Sequence, residues 1–212
     1  MKLYNEDFVK SIVEKIIKVD NIFYIGSGNH SDAFLINDDL VIKMPKHKKA
    51  NESLKSEIKI LKALENKLNL NIPSVEFSGM FRIDNAEFNF FISKKLRGKK
   101  LLKNEFISLS NKILRINAEK IAKFLSELHN QKEVMNINRR DLFLLHGDFS
   151  LNHCLFDENN IVCGILDFGD ARVGKAKSDF MYLLDEEDEE EFGIDFGQQV
   201  LDYYNEISLI YK

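Results

Sequence analysis

The chain has 212 residues, 44% of them hydrophobic and 30% charged, with a net charge of −4. That balance is enough to bury a core as one domain or two small lobes, and it excludes a disordered chain. No apolar run reaches the length of a membrane span and the opening MKLYNEDFVKS is charged where a signal peptide is apolar, which predicts a cytoplasmic protein without a membrane partner. The charge is unevenly divided: residues 1–100 hold 18 Lys and Arg against 13 Asp and Glu, and residues 101–212 hold 12 against 21. A polyanionic nucleotide suits the first half, and a cationic substrate or a metal suits the second. Cys154 and Cys163, both in apolar strand-like contexts, read as buried reduced thiols.

Phe8, Ile12, Val13, Ile16 and Ile17 recur at helical spacing and predict a helix over 5–19. Three strands follow, over 21–27, 33–37 and 40–44, with a glycine-containing turn after the first and Asp38-Asp39 as the second turn. Leu54, Ile58, Leu61, Leu64 and Leu68 define a helix over 51–70, capped by Asn51 or Ser53 and closed before Pro73. Segments 75–80 and 87–93 are further strands, and the basic stretch 94–100 is a connector. Downstream, helices are predicted over 117–129, from 179 to 184 and over 197–204. Between them lies a hairpin of 154–156 and 161–165 turned by Asp157-Glu158-Asn159-Asn160. Strands with one helix, then a connector, then helices around a hairpin argue for a two-lobed α+β protein divided into residues 1–95 and 96–212, with a cleft between the lobes.

The chemistry concentrates in 146–170, HGDFSLNHCLFDENNIVCGILDFGD. His-Gly-Asp and Asp-Phe-Gly turns flank one short hairpin and bring Asp148 and Asp167 to one site. Phosphoryl transfer needs a carboxylate at the attacking hydroxyl and another at the metal that neutralises the phosphates. Ser27 and Gly28 lie in the IGSGNHSD turn, where small residues let backbone N–H groups approach phosphate oxygens. Gly-Ser-Gly serves many hairpins for conformational reasons alone, and a lone strand lysine such as Lys43 is usually solvated. The turn, Lys43 in VIK, and Glu57 on the following helix gain meaning from their order, which is that of a kinase N-lobe. The basic stretches 46–49 and 94–100 are short and lack interleaved aromatics, so no nucleic-acid partner is expected.

FLSELH at 124–129, HGDFSLNHCLF at 146–156, GILDFGDA at 164–171 and SDFMYLLDEEDEEEFG at 178–193, with PKHKK after Lys43 and IPSVEFSGM at 72–80, resemble the aminoglycoside phosphotransferase family. The likeness is greatest to the branch that modifies the 2''-hydroxyl. The resemblance implies a protein-kinase-like fold with a small β-rich N-lobe and a mostly helical, reduced C-lobe. It makes Asp148 the base and Asp167 a Mg²⁺ ligand. His153, five residues after Asp148, becomes the second metal residue, with Asn152 as the other candidate. Ser93 to Leu96 becomes the hinge that meets the purine base of ATP or GTP, so that Ser27, Gly28, Lys43, Glu57, Ser93 and Leu96 form the nucleotide site. Asp179 becomes a buried residue that helps hold the loop and helix around the site, while His146 reads as structural packing of the loop and His129, closing a helix, as structural too. Asp170, Glu187 and Asp188 are the carboxylates offered to a polycationic small-molecule acceptor, and the protein is expected to act as a monomer. Only 16 residues separate His129 from His146, where this family usually carries a helical insertion, so the acceptor side is expected to be reduced. A minimal protein kinase and a non-catalytic nucleotide-binding module of the same fold are the alternative readings.

Overall fold

The computed structural model describes residues 2–185 and 192–210. The chain forms two compact units, Met1–Lys62 with Pro73–Lys95, and Ala63–Ile72 with Leu96–Lys212.

The first unit is an antiparallel five-stranded sheet in the order β1-β2-β3-β5-β4, built from β1 (Ile22–Ser27), β2 (Ser31–Ile36), β3 (Leu40–Pro45), β4 (Val75–Ile83) and β5 (Ala86–Lys94). One face is apolar at alternate positions, with Phe34 and Ile36 of β2, Ile42 and Met44 of β3, and Phe90 and Ile92 of β5 buried. Helix α1 (Glu6–Val13) lays Val9, Ile12 and Val13 in the same core. Asn5 caps α1, its side-chain oxygen accepting from Phe8 N at 2.8 Å, which satisfies one of the free N–H groups of the first turn. The helix is shorter than its periodicity predicts. After Val13 the chain turns, Ile16 N and Ile17 N both donating to Val13 O, yet Ile16 and Ile17 still pack on the core. The tight turn between β2 and β3 carries positive φ at Asn37 and Asp38, one residue before the predicted pair. Asn37 then uses its side chain to accept from Asp20 N.

Helix α2 (Lys48–Leu64) starts earlier and stops earlier than predicted. His47 Nδ1 accepts from Ala50 N at 3.1 Å and takes the capping role, while Asn66 at φ 59° ends the run. Asn51 is therefore not a cap. It is buried within the helix, and its side-chain oxygen accepts from Asn89 N at 2.7 Å, tying α2 to β5.

The second unit is mostly helical, with α3 (Lys103–Ile107), α4 (Asn111–His129), α5 (Met181–Leu184) and α6 (Ile194–Ile210). Phe106 of α3 packs edge-on to Phe192 and Phe196. Two small ribbons complete it: β6 (Phe143–Leu145) pairs with β9 (Arg172–Gly174), and β7 (Cys154–Phe156) with β8 (Val162–Ile165). Residues 63–72 join this unit because Asn71 sits against β8, its N–H donating to Cys163 O and its carbonyl accepting from Ile165 N.

Helix α4 begins six residues before the predicted start at Asn117. Asn117 is fully buried inside it, donating to Asn160 O at 3.0 Å and accepting from Val162 N at 2.8 Å. One amide side chain thus satisfies the turn of the β7–β8 hairpin, where a buried unpaired backbone group is costly. Asn117→Ala is expected to lower stability by about 2 kcal/mol in urea unfolding; an unchanged midpoint would show that the hairpin holds without this tie.

Candidate active site

The two ribbons of the second unit set the site. The loop of 146–153 runs from β6 to β7 and the loop of 166–171 runs from β8 to β9, so each loop spans from one ribbon to the other and the two lie side by side. They are joined directly. Leu166 N donates to His153 O at 2.8 Å, and His146 Nε2 donates to Leu166 O at 2.9 Å. The buried ring of Phe168 packs on His146 with centroids 4.8 Å apart. Burial pushes the His146 imidazole pKa below its ordinary value, so the ring is neutral and a single Nε2–H serves the Leu166 carbonyl.

A buried carboxylate holds the first loop. Asp179 accepts from His146 N and Gly147 N, each at 2.8 Å, and from His129 Nε2 at 3.0 Å, while His129 Nδ1 meets Tyr204 Oη at 2.8 Å. Burial alone would push the Asp179 pKa up, but the hydrogen bond and charge of His129 and the loop N–H outweigh it, so the carboxyl titrates below its usual range. Gly147 is at φ 88°, and a Cβ there would stand 2.1 Å from Asp170 O. The two loops approach through that space. Arg172 seals it, its guanidinium donating to Gly147 O at 2.7 Å.

His153 stands between the two motif aspartates. Its Nδ1 lies 2.7 Å from the Asp148 carbonyl and 3.9 Å from the Asp148 carboxylate, and its Nε2 lies 3.8 Å from Asp167 Oδ2. The carbonyl can only accept, so Nδ1 carries a proton that it donates there, and Nε2 is the ring nitrogen turned to Asp167. A histidine that donates one ring N–H to a backbone carbonyl, with the other nitrogen turned to a carboxylate, is oriented as metal ligands are. Both aspartates remain open to solvent, Asp148 with 36% and Asp167 with 47% of the side chain exposed. Asp167 has φ 64°, a left-handed backbone that Asp adopts at modest cost. Among the described residues, no group of three or more His, Cys, Asp or Glu side chains converges on one point. An ion here would complete its shell with water and ligand oxygens, as Mg²⁺ does at phosphates.

In the first unit the sheet face opposite the core carries Lys43 and Ser93 of the predicted residues. Lys43 of β3 forms an ion pair with Glu57 of α2, Nζ lying 2.8 Å from each carboxylate oxygen. The periodicity had set Glu57 off the apolar stripe, but it is only 2% exposed. The buried side of α2 runs through Leu54, Glu57, Ile60, Leu61 and Leu64, and the ammonium compensates the buried charge. Pairing register aligns Phe23, Leu35, Val41 and Ser93 in one cross-strand row, with Ala33 and Lys43 in the row two residues along. An apolar platform therefore lies next to a cation on one face. Phe23, Leu35 and Val41 were not singled out from the sequence; their signal was alternation out of phase with the buried positions. The Ser27 side chain turns the other way, hydrogen-bonding Asp32, so only its backbone is presented to this face. Gly26 and Gly28 have open space where a Cβ would stand. Leu96 falls in the second unit beside Gly164. Asp170 is exposed, whereas Glu187 and Asp188 lie outside the described residues.

A sheet with a lysine–glutamate pair, and a hairpin flanked by two aspartate loops, define a phosphotransferase of the kinase-like fold. The model of the phosphotransferase enzyme family, APH, matches residues 136–209. The chain is similar to the streptomycin- and ATP-bound structure of APH(2")-IIa, with 28% identity over 97% of this chain and 85% of that one and a TM-score of 0.76. It is similar to ADP-bound APH(2'')-Ib, with 27% identity over 95% and 82% and a TM-score of 0.75. The GDP and kanamycin complex of APH(2")-IIia shares the fold, at 23% identity over 98% and 85% and a TM-score of 0.82. The chain therefore resembles the phosphotransferase enzyme family in sequence over residues 136–209 and shares the fold of the aminoglycoside phosphotransferases over nearly all of its length. No helix among the described residues is long and apolar enough to cross a membrane.

Asp179→Ala would leave two loop N–H groups and His129 without their acceptor, and is expected to lower stability by about 3 kcal/mol in chemical denaturation; a smaller loss than for a surface alanine would remove the anchor role. The folded His146 binds its proton more weakly than the unfolded side chain with pKa 6.5. Below that value the unfolded state takes up the extra proton, so stability falls as pH drops from 7 to 5. His146→Asn is expected to flatten that part of the stability–pH curve measured by urea titration.

Proposed function

We propose that this enzyme moves the γ-phosphate of ATP or GTP, with Mg²⁺, to a hydroxyl of a small polycationic alcohol such as an aminoglycoside. The observation that carries the reading is the set of Asp148, His153 and Asp167, three groups of the right chemistry held on two loops that are hydrogen-bonded to each other.

Asp148 is the base. It accepts the proton of the attacking hydroxyl as the acceptor oxygen bonds to the γ-phosphorus and the bond to the β-phosphate oxygen breaks, releasing the nucleoside diphosphate. Asp167 and His153 would hold Mg²⁺, which neutralises phosphate charge when bound. Lys43, kept in place by Glu57, gives the phosphates a fixed positive charge. Phe23, Leu35 and Val41 offer the apolar surface on which a purine lies, and Ser93 and Leu96 the backbone beside it. Exposed Asp170, with Glu187 and Asp188, attracts the cationic acceptor. The aminoglycosides and nucleotides in the similar structures favour these classes of acceptor and donor.

The test is mass-spectrometric detection of a phosphorylated product from Mg-ATP or Mg-GTP and an aminoglycoside panel, with Asp148→Asn alongside. A product at +80 Da per transfer that falls about 10²–10⁴-fold in the variant, with nucleotide binding retained, is expected. Full activity in Asp148→Asn would overturn the base assignment; label entering protein instead of the drugs would turn the reading to a protein kinase.

A further inference from the structure

The turn between β1 and β2 is braced from behind by a group that the reaction scheme leaves unused. Asp32 is fully buried on the core side of β2. One carboxylate oxygen accepts from Leu3 N at 2.6 Å and Tyr4 N at 3.3 Å, and the other accepts from the Ser27 hydroxyl at 2.6 Å and faces Lys46 Nζ at 3.4 Å. Tyr4 Oη donates to Pro45 O at 2.5 Å, which fixes the chain just before Lys46. The Lys46 ammonium reaches over the turn to bond the Ser27 hydroxyl and the Gly28 carbonyl, the latter at 2.6 Å. Its three N–H donors are thus committed to Asp32, Ser27 and Gly28, and its side chain is only 12% exposed.

A trans peptide points its C=O and the following N–H in opposite directions. Lys46 holds the Gly28 carbonyl toward the core side, where Asp32 lies, so the N–H of Asn29 faces the side that carries Lys43. No acceptor among the described residues takes that N–H, whereas the neighbouring Gly28 N–H is used by Ser31 O at 3.0 Å. We infer that Lys46, seated on Asp32, is a positioning residue for the phosphate-binding turn: it sets the orientation of the Gly28–Asn29 peptide so that the Asn29 N–H is presented to a nucleotide phosphate. The inference rests on the proposed phosphotransferase reading. It separates two lysines three residues apart, Lys43 meeting the phosphates as a charge and Lys46 acting through the backbone without touching them.

The experiment is calorimetric binding of nucleoside triphosphate and of the matching nucleoside to the full chain, as wild type, Lys46→Met, Lys46→Arg and Asp32→Asn, with thermal unfolding of each. Lys46→Met is expected to weaken triphosphate binding about tenfold, the loss of one charge-assisted hydrogen bond, and to leave nucleoside binding unchanged. Lys46→Arg restores most of the loss, and Asp32→Asn weakens the triphosphate in the same direction. In steady-state assays the change falls on the nucleotide KM and spares kcat. Equal weakening of nucleoside and triphosphate, or wild-type affinity in Lys46→Met, overturns the inference alone. Tighter triphosphate binding in Asp32→Asn also overturns it, since a released ammonium would then be a direct phosphate ligand. A wild type that binds neither molecule overturns the phosphotransferase reading and this inference with it.

Discussion

The second unit is organised around one buried carboxylate. Asp179 reaches the backbone of residues 146 and 147 from 33 and 32 residues further along the chain, and without it those N–H groups would be buried and unpaired beside a loop that has no regular secondary structure to satisfy them. The carboxylate stays ionised because its acceptors are filled by two backbone donors and a histidine, the arrangement that offsets the cost of burying charge. His129 passes the constraint on to Tyr204, so α4, α6 and the loop are tied in one network. Asp148 stands one residue beyond Gly147 and takes its position from that anchor.

From there the constraint passes to the second loop through His146, a neutral ring that donates to Leu166 O, and through the backbone bond from Leu166 to His153. Leu166 is held at both its N–H and its carbonyl, immediately before a residue in left-handed conformation. A non-glycine residue at positive φ persists where its surroundings over-determine it. Asp167 is such a case, and its carboxylate is thereby aimed at the Nε2 of His153. On the proposed reading, the position of the metal follows from packing several residues away.

The first unit reaches a comparable result by other means. Its sheet gives one face to the core and leaves the other with an apolar row and a lysine, and the register of the strands sets their spacing. The bulge between Tyr24 and Gly26 shifts the phase of β1, which brings the Ser27 side chain to the core side with Asp32. The turn that follows is braced from behind by Lys46 while its front stays open. A glycine turn is mobile by nature, and a lysine locked on a buried carboxylate restrains it at the Gly28 carbonyl.

Much of this was legible in the residues. Strand-like segments bounded by turns named the strands of the first unit, helical spacing named α2 and α4, and the two aspartate motifs named the loops that carry Asp148 and Asp167, because each of these signals is local. Element ends were less legible. Asn51 reads as a helix cap and Asn117 as a helix start, yet both lie inside helices and are used for long-range ties to strands, and Glu57 looks solvent-facing by pattern but is buried against Lys43. The sequence determined which residues are offered for phosphoryl-transfer chemistry on the proposed reading and in what order they occur. Tertiary structure decided which of them meet: that His153 lies between Asp148 and Asp167, that Asp179 holds the loop, that Lys43 pairs with Glu57, and that Lys46 is seated on Asp32. Those outcomes depend on register, on backbone handedness and on hydrogen bonds between residues tens of positions apart, none of which is expressed in the neighbourhood of any one residue.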